Sequence, residues 1–273
     1  MNRLLLATIA CASVMSPGFL FAADLPVKAP PPVVTWTGFY AGLGLGFRST
    51  TVDSRTIRVT EDGIPDTCPF SAGNACFFSV PLNDTGFRFS LYGGYNWQVN
   101  SAVVLGIEAD GGWARKTTTL FGTALPGGPF IMSGFNTDSI SVRPDWDASL
   151  RLRAGYLVTP AFLIYATGGA AWLNFSSTLT CGQDPIGTCD GFFVPPFTRT
   201  SSTTQTGWTA GGGIETRVLP NILIRGEYRY SDFGTVTFVE TVKGATFNVF
   251  TYDVHPKSHT AVFGIAYLFG GPY

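Results

Sequence analysis

The residues of this chain that could carry out catalysis or bind a cofactor are few, and they cluster near the C-terminus. The sequence has two histidines, His255 and His259, with Asp253 and Ser258 beside them. A histidine can activate a serine hydroxyl, but Ser258 and His259 are neighbours in an extended segment. Their side chains would point to opposite faces, which is the wrong geometry for proton transfer. We therefore predict no catalytic residues. His255 and His259, with Tyr252, are the candidate haem ligands, although we expect no resident cofactor.

Four of the five cysteines form two C-x7-C pairs in stretches rich in Gly, Pro, Asp and Thr. The fifth, Cys11, lies in an N-terminal apolar segment that indicates export to an oxidising compartment, as argued below. We predict two local disulfides, Cys68–Cys76 and Cys181–Cys189. Crossed pairing, free thiols and metal binding remain alternatives. Zinc favours C-x2-C spacing with histidines nearby, so no metal site is predicted.

Charged and apolar residues alternate with a period of two, most clearly in WDASLRLRAGY (residues 146–156). Such a strand has one ionic face and one apolar face. Over the whole chain, the ionic faces collect nearly balanced charge, and all their cations are arginine. The planar guanidinium suits bidentate pairing with carboxylates in an enclosed space. The residues of these ionic faces are Arg88, Glu108, Asp110, Asp147, Arg151, Arg153, Glu215, Arg217, Arg225, Glu227 and Arg229.

Eight segments show this alternation, which predicts half-buried β-strands. They are residues 36–47, 86–97, 103–113, 146–156, 162–172, 207–218, 222–230 and 259–269. Tight turns at 98–102, 157–161 and 219–221 alternate with long links at roughly 49–84, 115–145, 176–205 and 232–257, as in strands that run up and down in sequence. In the first segment, Gly42, Gly44 and Gly46 share one face and leave room for arginines and tyrosines from neighbouring strands.

The strand at 146–156 should find its carboxylate partners on an adjacent strand. The segment that precedes it offers Glu108 and Asp110, whereas the segment that follows it offers no carboxylate. We therefore expect these two carboxylates to pair with Arg151 and Arg153.

The N-terminus has the form of a secretory signal peptide. Arg3 is followed by an apolar run and by small residues suited to cleavage after Ala22 or Ala23. This predicts a signal peptide over residues 1–23, a Pro-rich periplasmic segment over 24–34, and a β-domain over 35–273. After the first two dozen residues, no apolar run is long enough for a membrane-spanning helix.

Two architectures fit eight alternating strands, a soluble sandwich or barrel with an apolar interior and a membrane barrel with a polar interior. Balanced, arginine-only charge on one face favours the enclosed interior. Tryptophan position gives an independent test, because all six tryptophans fall at predicted strand ends and none at mid-strand, which is typical of an aromatic girdle. They are Trp36, Trp97, Trp113, Trp146, Trp172 and Trp208. We predict an all-β, eight-stranded antiparallel up-and-down transmembrane β-barrel with short periplasmic turns and four long extracellular loops.

Several motifs resemble the alphaproteobacterial outer membrane immunogenic protein family, often labelled a porin family, with an OmpA-type eight-stranded barrel. They include ADLPVKAPPPVVTWTGFYAGLGLG, GGYNWQ, GIEADGGW, LRAGYL, YATGGAAW, GWTAGGGIE and EYRYSDFG. The resemblance implies an outer-membrane protein with exposed loops, in relatives sometimes adhesive, host-interacting or haemin-binding. It also implies a C-terminal aromatic read by the barrel-assembly machinery. Of Phe269 and Tyr273, we favour Phe269, which continues the outward alternation. Inward positions that are often basic in the family are Val262 and Leu268 here.

These observations predict a non-enzymatic outer-membrane barrel, in a Gram-negative and alphaproteobacterial cell, with its N-terminus in the periplasm. Its charged interior would be filled by side chains, and it would act in envelope structure and surface display. A small-conductance porin-like channel and a haemin-binding surface protein are the alternatives. Expected partners are outer-membrane lipid and lipopolysaccharide, the assembly machinery and an extracellular ligand of the loops. The formal net charge of −1 gives no basis for a nucleic-acid partner.

Overall fold

A computed structural model of the chain describes residues 35–61, 64–65, 79–121, 139–181, 197–243 and 247–270. The expected signal peptide and Pro-rich segment lie outside the described residues. So do Cys68, Cys76 and Cys189, and with them both expected disulfides. The described part of the chain contains no helix long and apolar enough to cross a membrane.

Eight long strands form the body of the structure, in the order that the alternation predicts. They are β1 (Gly38–Glu61), β2 (Ser79–Gln98), β3 (Val103–Trp113), β4 (Ser139–Thr159), β5 (Phe162–Cys181), β6 (Phe197–Leu219), β7 (Ile222–Asp232) and β8 (Phe247–Phe269). Three shorter strands extend the sheet beside β1, β4 and β8. They are Ile64–Pro65, Thr118–Phe121 and Val236–Lys243.

The strands close into a ring. Each pairs antiparallel with its neighbours in sequence, and β8 pairs with β1 from Phe39 opposite Phe269 to Glu61 opposite Asn248. Closure pairs each of the eight strands with a neighbour on both sides in the ring, so none of the eight is left at the edge of an open sheet. The predicted eight-stranded up-and-down barrel is confirmed.

The two ends of the barrel differ in their connections. At one end, hereafter the turn end, three short turns join successive strands. They connect β2 to β3 (Gln98 to Val103), β4 to β5 (Thr159 to Phe162) and β6 to β7 (Leu219 to Ile222). The connections at the other end, hereafter the loop end, are the long ones. All three tight turns lie where the sequence predicts them.

The strands are longer than the sequence predicts at the loop end. Strand β1 was expected to stop at Phe47 and continues to Glu61, and β6 begins at Phe197 instead of Gly207. The added residues are rich in Ser and Thr and have no regular apolar face, so the period-two signal was missing there. The long links are correspondingly shorter than predicted.

The two faces of the barrel have opposite character. Large apolar side chains on the outer face are exposed, including Leu152 at 69%, Phe263 at 62% and Phe47 at 58%. The residues between them point inward and are buried, and many are charged. A continuous apolar exterior around an ionic interior is the pattern of a barrel that is surrounded by lipid.

Candidate functional site

Glu108 of β3 is buried in the barrel interior and accepts hydrogen bonds from three other strands. Arg225 Nη1 of β7 lies 2.5 Å from its Oε2, and the Tyr40 hydroxyl of β1 donates to the same oxygen at 2.7 Å. Arg151 of β4 binds the other carboxylate oxygen. All four side chains are buried. The carboxylate therefore joins strands that do not pair with one another.

A second cluster lies nearer the loop end around Asp110 and Asp147. Arg88 bridges them, with its Nη2 2.7 Å from Asp110 Oδ2 and 2.5 Å from Asp147 Oδ2. Arg229 donates to Asp110 at 2.6 Å, and Arg48 donates to Asp147 at 2.5 Å. Ser149 also binds Asp110. Two carboxylates thus share three guanidinium groups.

The remaining two carboxylates bind arginines across the barrel. Glu227 of β7 accepts from Arg151 Nη1 and from the Tyr165 hydroxyl, both at 2.7 Å. Glu215 of β6 accepts from Arg153 Nη2 at 2.8 Å. The Arg153 guanidinium also lies 4.1 Å from the centre of the Tyr165 ring, a cation–π contact.

Glycines make room for these side chains, as the sequence predicts for β1. A Cβ at Gly42 would lie 2.6 Å from the Tyr92 ring. On β3, a Cβ at Gly112 would lie 2.3–2.5 Å from three atoms of the Arg88 guanidinium. The Tyr92 and Arg88 side chains therefore occupy the space that a side chain at Gly42 or Gly112 would need.

Pairing explains why so much charge can be buried here. An unpaired ion loses several kcal/mol of hydration in the interior, so each needs a partner with good geometry. Every carboxylate of the two clusters and the cross-barrel pairs has an arginine nitrogen within 2.8 Å. The alternative face is apolar, so these residues have no other place in the barrel.

An apolar cluster lies at the turn end, and Trp36 is part of it. The Trp36 side chain is 0% exposed, and its Nε1 donates to the Pro160 carbonyl at 3.0 Å. Its backbone N–H donates to Gln98 Oε1, and the Arg217 guanidinium lies 5.0 Å from the ring centre. The other members of this cluster include Val104, Leu157, Leu163, Leu223 and Leu268. Trp36, which precedes β1, therefore packs with side chains from five strands on the turn-end side of the ionic clusters.

The expectation that Trp36 belongs to an outer aromatic girdle is wrong. It precedes the first residue of β1, so the alternation does not fix its direction, and it turns into the barrel mouth. The other five tryptophans lie on the outer face. Trp97, Trp113, Trp146 and Trp208 are 37–53% exposed, and Trp172 is half-buried.

Ten of the eleven predicted interior charges lie in the networks described above. Arg217 does not, because it lies at the turn end, where its Nη2 donates to the Thr35 carbonyl. The pairing expected for the arginines of β4 is correct for Arg151 with Glu108. It is correct in part for Arg153, whose Nη1 forms an ion pair with Glu108 at 3.6 Å but whose shorter contact is with Glu215 at 2.8 Å.

Sequence reasoning missed Arg48 and Tyr165, which both take part in the ionic clusters. Arg48 is 2% exposed and continues the inward face of Gly42, Gly44 and Gly46 by one position, so the alternation could have found it. Tyr165 is buried against Glu227. Its strand was the least regular of the eight, and its partner lies two strands away, which no local pattern records.

The candidate haem ligands are not brought together. His255 and His259 lie on the same outward-facing side of β8, four residues apart. His255 Nε2 lies 2.8 Å from Asp232 Oδ1, and His259 Nδ1 lies 2.6 Å from the Tyr228 hydroxyl. The side chain of Tyr252 lies outside the description. Within the described ranges, no group of three or more His, Cys, Asp or Glu residues could hold a metal ion.

Comparison with known proteins agrees with this architecture. The family described as outer membrane protein β-barrel domain matches residues 5–269. The chain is 27% identical over 252 residues to the 31 kDa outer-membrane immunogenic protein of Brucella melitensis, which covers 88% of this chain and 90% of that protein. It is 29% identical over 212 residues to a 22 kDa outer membrane protein of Rhizobium leguminosarum, which covers 78% of this chain and 70% of the relative.

Among solved structures, the chain is similar to the outer membrane protein OprG of Pseudomonas aeruginosa, with a TM-score of 0.46 and 14% identity over 85% of this chain and 97% of that one. The family match covers nearly the whole chain, the strands form a closed eight-membered ring, and the exterior is apolar. The chain therefore belongs to the outer membrane protein β-barrel domain family and is an outer-membrane protein.

Proposed function

We propose that this protein is a closed, non-enzymatic barrel that contributes to envelope structure and displays its four long loops at the cell surface. The observation that carries the proposal is the filled interior. An eight-stranded barrel is only wide enough to hold side chains. Here, ion pairs from Arg88 with Asp147, Arg151 with Glu227 and Arg153 with Glu215 cross that space.

The turn end is the periplasmic end in this proposal. Short turns on the periplasmic side and long loops outside are the usual arrangement of outer-membrane barrels. The N-terminus then lies in the periplasm, where a cleaved signal peptide would leave it. Phe269, 55% exposed at the turn end of β8, would be available to the barrel-assembly machinery.

Two exposed serines at opposite ends of the barrel provide a matched test of this orientation. Ser201 lies on β6 near the loop end, and Ser101 lies in the β2–β3 turn. Ser201→Cys in intact cells should react with an impermeant maleimide, above the background of the wild-type chain. Ser101→Cys should react only after the outer membrane is permeabilised. The reverse pattern would refute surface display of the loops.

A small-conductance channel is the second candidate, and one observation favours it. Some buried polar atoms have no hydrogen-bond partner among the described residues, including Tyr92 Oη, Glu215 Oε1 and Arg225 Nε. Buried polar groups of this kind are usually satisfied by water. Water inside the barrel could support a small ion flux, and recording of single-channel currents distinguishes the two candidates.

A further inference from the structure

Three strongly exposed cations lie together at the loop end of β3 and β4. Arg115 is 69% exposed, Lys116 is 56% exposed and Arg143 is 48% exposed. Arg115 and Lys116 follow the last residue of β3, and Arg143 lies on the partner strand β4. None of the three takes part in the interior ionic clusters. They form a patch that is hereafter called the basic patch.

The two arginines of the basic patch converge on one carboxylate oxygen. Arg143 Nε lies 3.0 Å and Arg115 Nε lies 3.6 Å from Asp145 Oδ1. Asp145 is buried, and its second oxygen accepts from Ser176 at 2.7 Å. Both guanidinium groups therefore lie within ion-pair distance of the same carboxylate oxygen through Nε. Among the described residues, the terminal nitrogens of both arginines have no partner, and these nitrogens form the bidentate fork toward phosphate.

The third cation is held only loosely. Lys116 Nζ lies 3.7 Å from Asp84 Oδ1 and 3.4 Å from the Thr85 carbonyl oxygen. The Asp84 side chain is buried, whereas the lysine is mostly exposed. Three exposed cations therefore stand above two buried carboxylates, which gives the patch a net positive charge toward its surroundings.

Two tryptophans lie next to the basic patch on the outer face. Trp113 and Trp146 are direct partners in the β3–β4 register and are 44% and 37% exposed. Phe89 stacks against Trp113 with ring centres 6.3 Å apart. Exposed tryptophans on a membrane barrel mark the interface between acyl chains and headgroups. The cations are two or three residues further toward the loop end, or about 7–10 Å along the strands.

We propose that the basic patch and the two tryptophans bind one phosphorylated lipid of the outer leaflet, of the lipid A class. The phosphates would bind Arg115, Lys116 and Arg143, and the acyl chains would lie against Trp113 and Trp146. The inference rests on the proposed function, because it requires the loop end to face outward. Charge complementarity and the order of aromatic and basic residues along the strands select this occupant.

Two other cations near the loop end, among the side chains that the structure describes, do not combine these properties. Lys257 of β8 is 32% exposed and has its own carboxylate partner, Asp53, at 3.3 Å. Arg199 of β6 is exposed but stands apart from the tryptophan pair. Arg199 is therefore the matched control for removal of one exposed charge at the same end of the barrel.

The test is lipid binding by the full chain, refolded into detergent micelles and measured by native mass spectrometry. Bisphosphorylated lipid A, monophosphoryl lipid A, phosphatidylglycerol and inorganic phosphate are the probes. We expect the wild-type protein to bind lipid A at one copy per barrel. The variant with Arg115→Gln, Lys116→Gln and Arg143→Gln should bind it about tenfold more weakly, because charged hydrogen bonds to phosphate are lost. Arg199→Gln should bind as the wild type does.

Monophosphoryl lipid A should bind more weakly than lipid A, and inorganic phosphate should not compete at millimolar concentration. Equal binding of lipid A by the wild type and the triple variant would overturn the proposal. Equal affinity of the wild type for phosphatidylglycerol, or effective competition by inorganic phosphate, would overturn it as well. The heat-dependent shift in gel mobility of folded barrels shows that each variant is folded. If the serine labelling places the loop end outside and the triple variant still binds normally, only this inference fails.

Discussion

Arg151 of β4 donates to Glu227 of β7 at 2.7 Å, although the two strands are not neighbours in the barrel wall. The same arginine binds Glu108 of β3, and Glu227 also accepts from Tyr165 of β5. One pair of residues therefore connects four strands through the interior. Backbone hydrogen bonds between paired strands stabilise the barrel wall, and ion pairs across the interior connect strands that are not paired.

Glu227→Gln should strongly destabilise the barrel. The change leaves Arg151 without one of its two main partners and removes a negative charge that also lies 3.4 Å from Arg229. An uncompensated buried charge typically costs about 3–5 kcal/mol. This loss is measured as the change in the free energy of unfolding. The barrel is unfolded by urea in lipid vesicles, and the gel-mobility shift reports the folded fraction. Arg199→Gln, at an exposed site, should change it by less than about 0.5 kcal/mol.

The pairing itself can be separated from the individual charges. The double variant Arg151→Met with Glu227→Gln should lose less stability than the sum of the two single variants, because neither charge is then left alone. Additive losses would show that the two residues act independently and would contradict the bridging role of the pair.

Gly112→Ala should destabilise the loop-end cluster, whereas Gly111→Ala should not. A Cβ at Gly112 would lie 2.3–2.5 Å from the Arg88 guanidinium, which Asp110 and Asp147 hold in place. The adjacent Gly111 has no atom within 4 Å of its added Cβ. We expect a loss of about 1–3 kcal/mol for Gly112→Ala, as for overpacking in a protein core. Equal stability of the two variants would mean that Arg88 has other room to occupy.

The strands and most of the interior charges could be predicted from the sequence, because both follow from the alternation of polar and apolar residues. The ion-pair partners of these charges are harder to predict, since they depend on the stagger of the strands around the ring. Arg153 shows the limit, because its best partner, Glu215, lies on β6, two strands away from β4. Trp36 shows another limit, because it lies just outside the first strand and no periodic signal fixes its direction.

Trp36→Ala should weaken the closure of the turn end. The indole is fully buried and bonds to Pro160, so its removal leaves a cavity beneath the ionic clusters. Truncation of a buried tryptophan typically costs about 3–5 kcal/mol. Urea unfolding measures this loss. Trp97→Ala at the same end is the control, and it should cost less because half of Trp97 is exposed in the native barrel.

Haemin should not bind through His255 and His259. Four residues along a strand separate the two imidazoles by about 13 Å, which is too far for one iron to bind both. Each ring also has a protein partner, Asp232 for His255 and Tyr228 for His259. A haemin titration, followed by the Soret band, should be the same for the wild type and for the variant with both histidines replaced by Ala. A Soret shift that disappears in the double variant would contradict this expectation.

Single-channel recording in planar lipid bilayers tests most directly the claim that side chains close the barrel. The protein is refolded and inserted into the bilayer. The membrane is then recovered, and the gel-mobility shift of the protein in it verifies that the folded barrel was present. We predict that bilayers with wild-type protein carry the same current as protein-free bilayers, because ion pairs and the Trp36 cluster fill the lumen. Recurrent discrete current steps from the wild-type protein, with a size that changes in Glu227→Gln, would show that ions pass through the interior and would contradict the account.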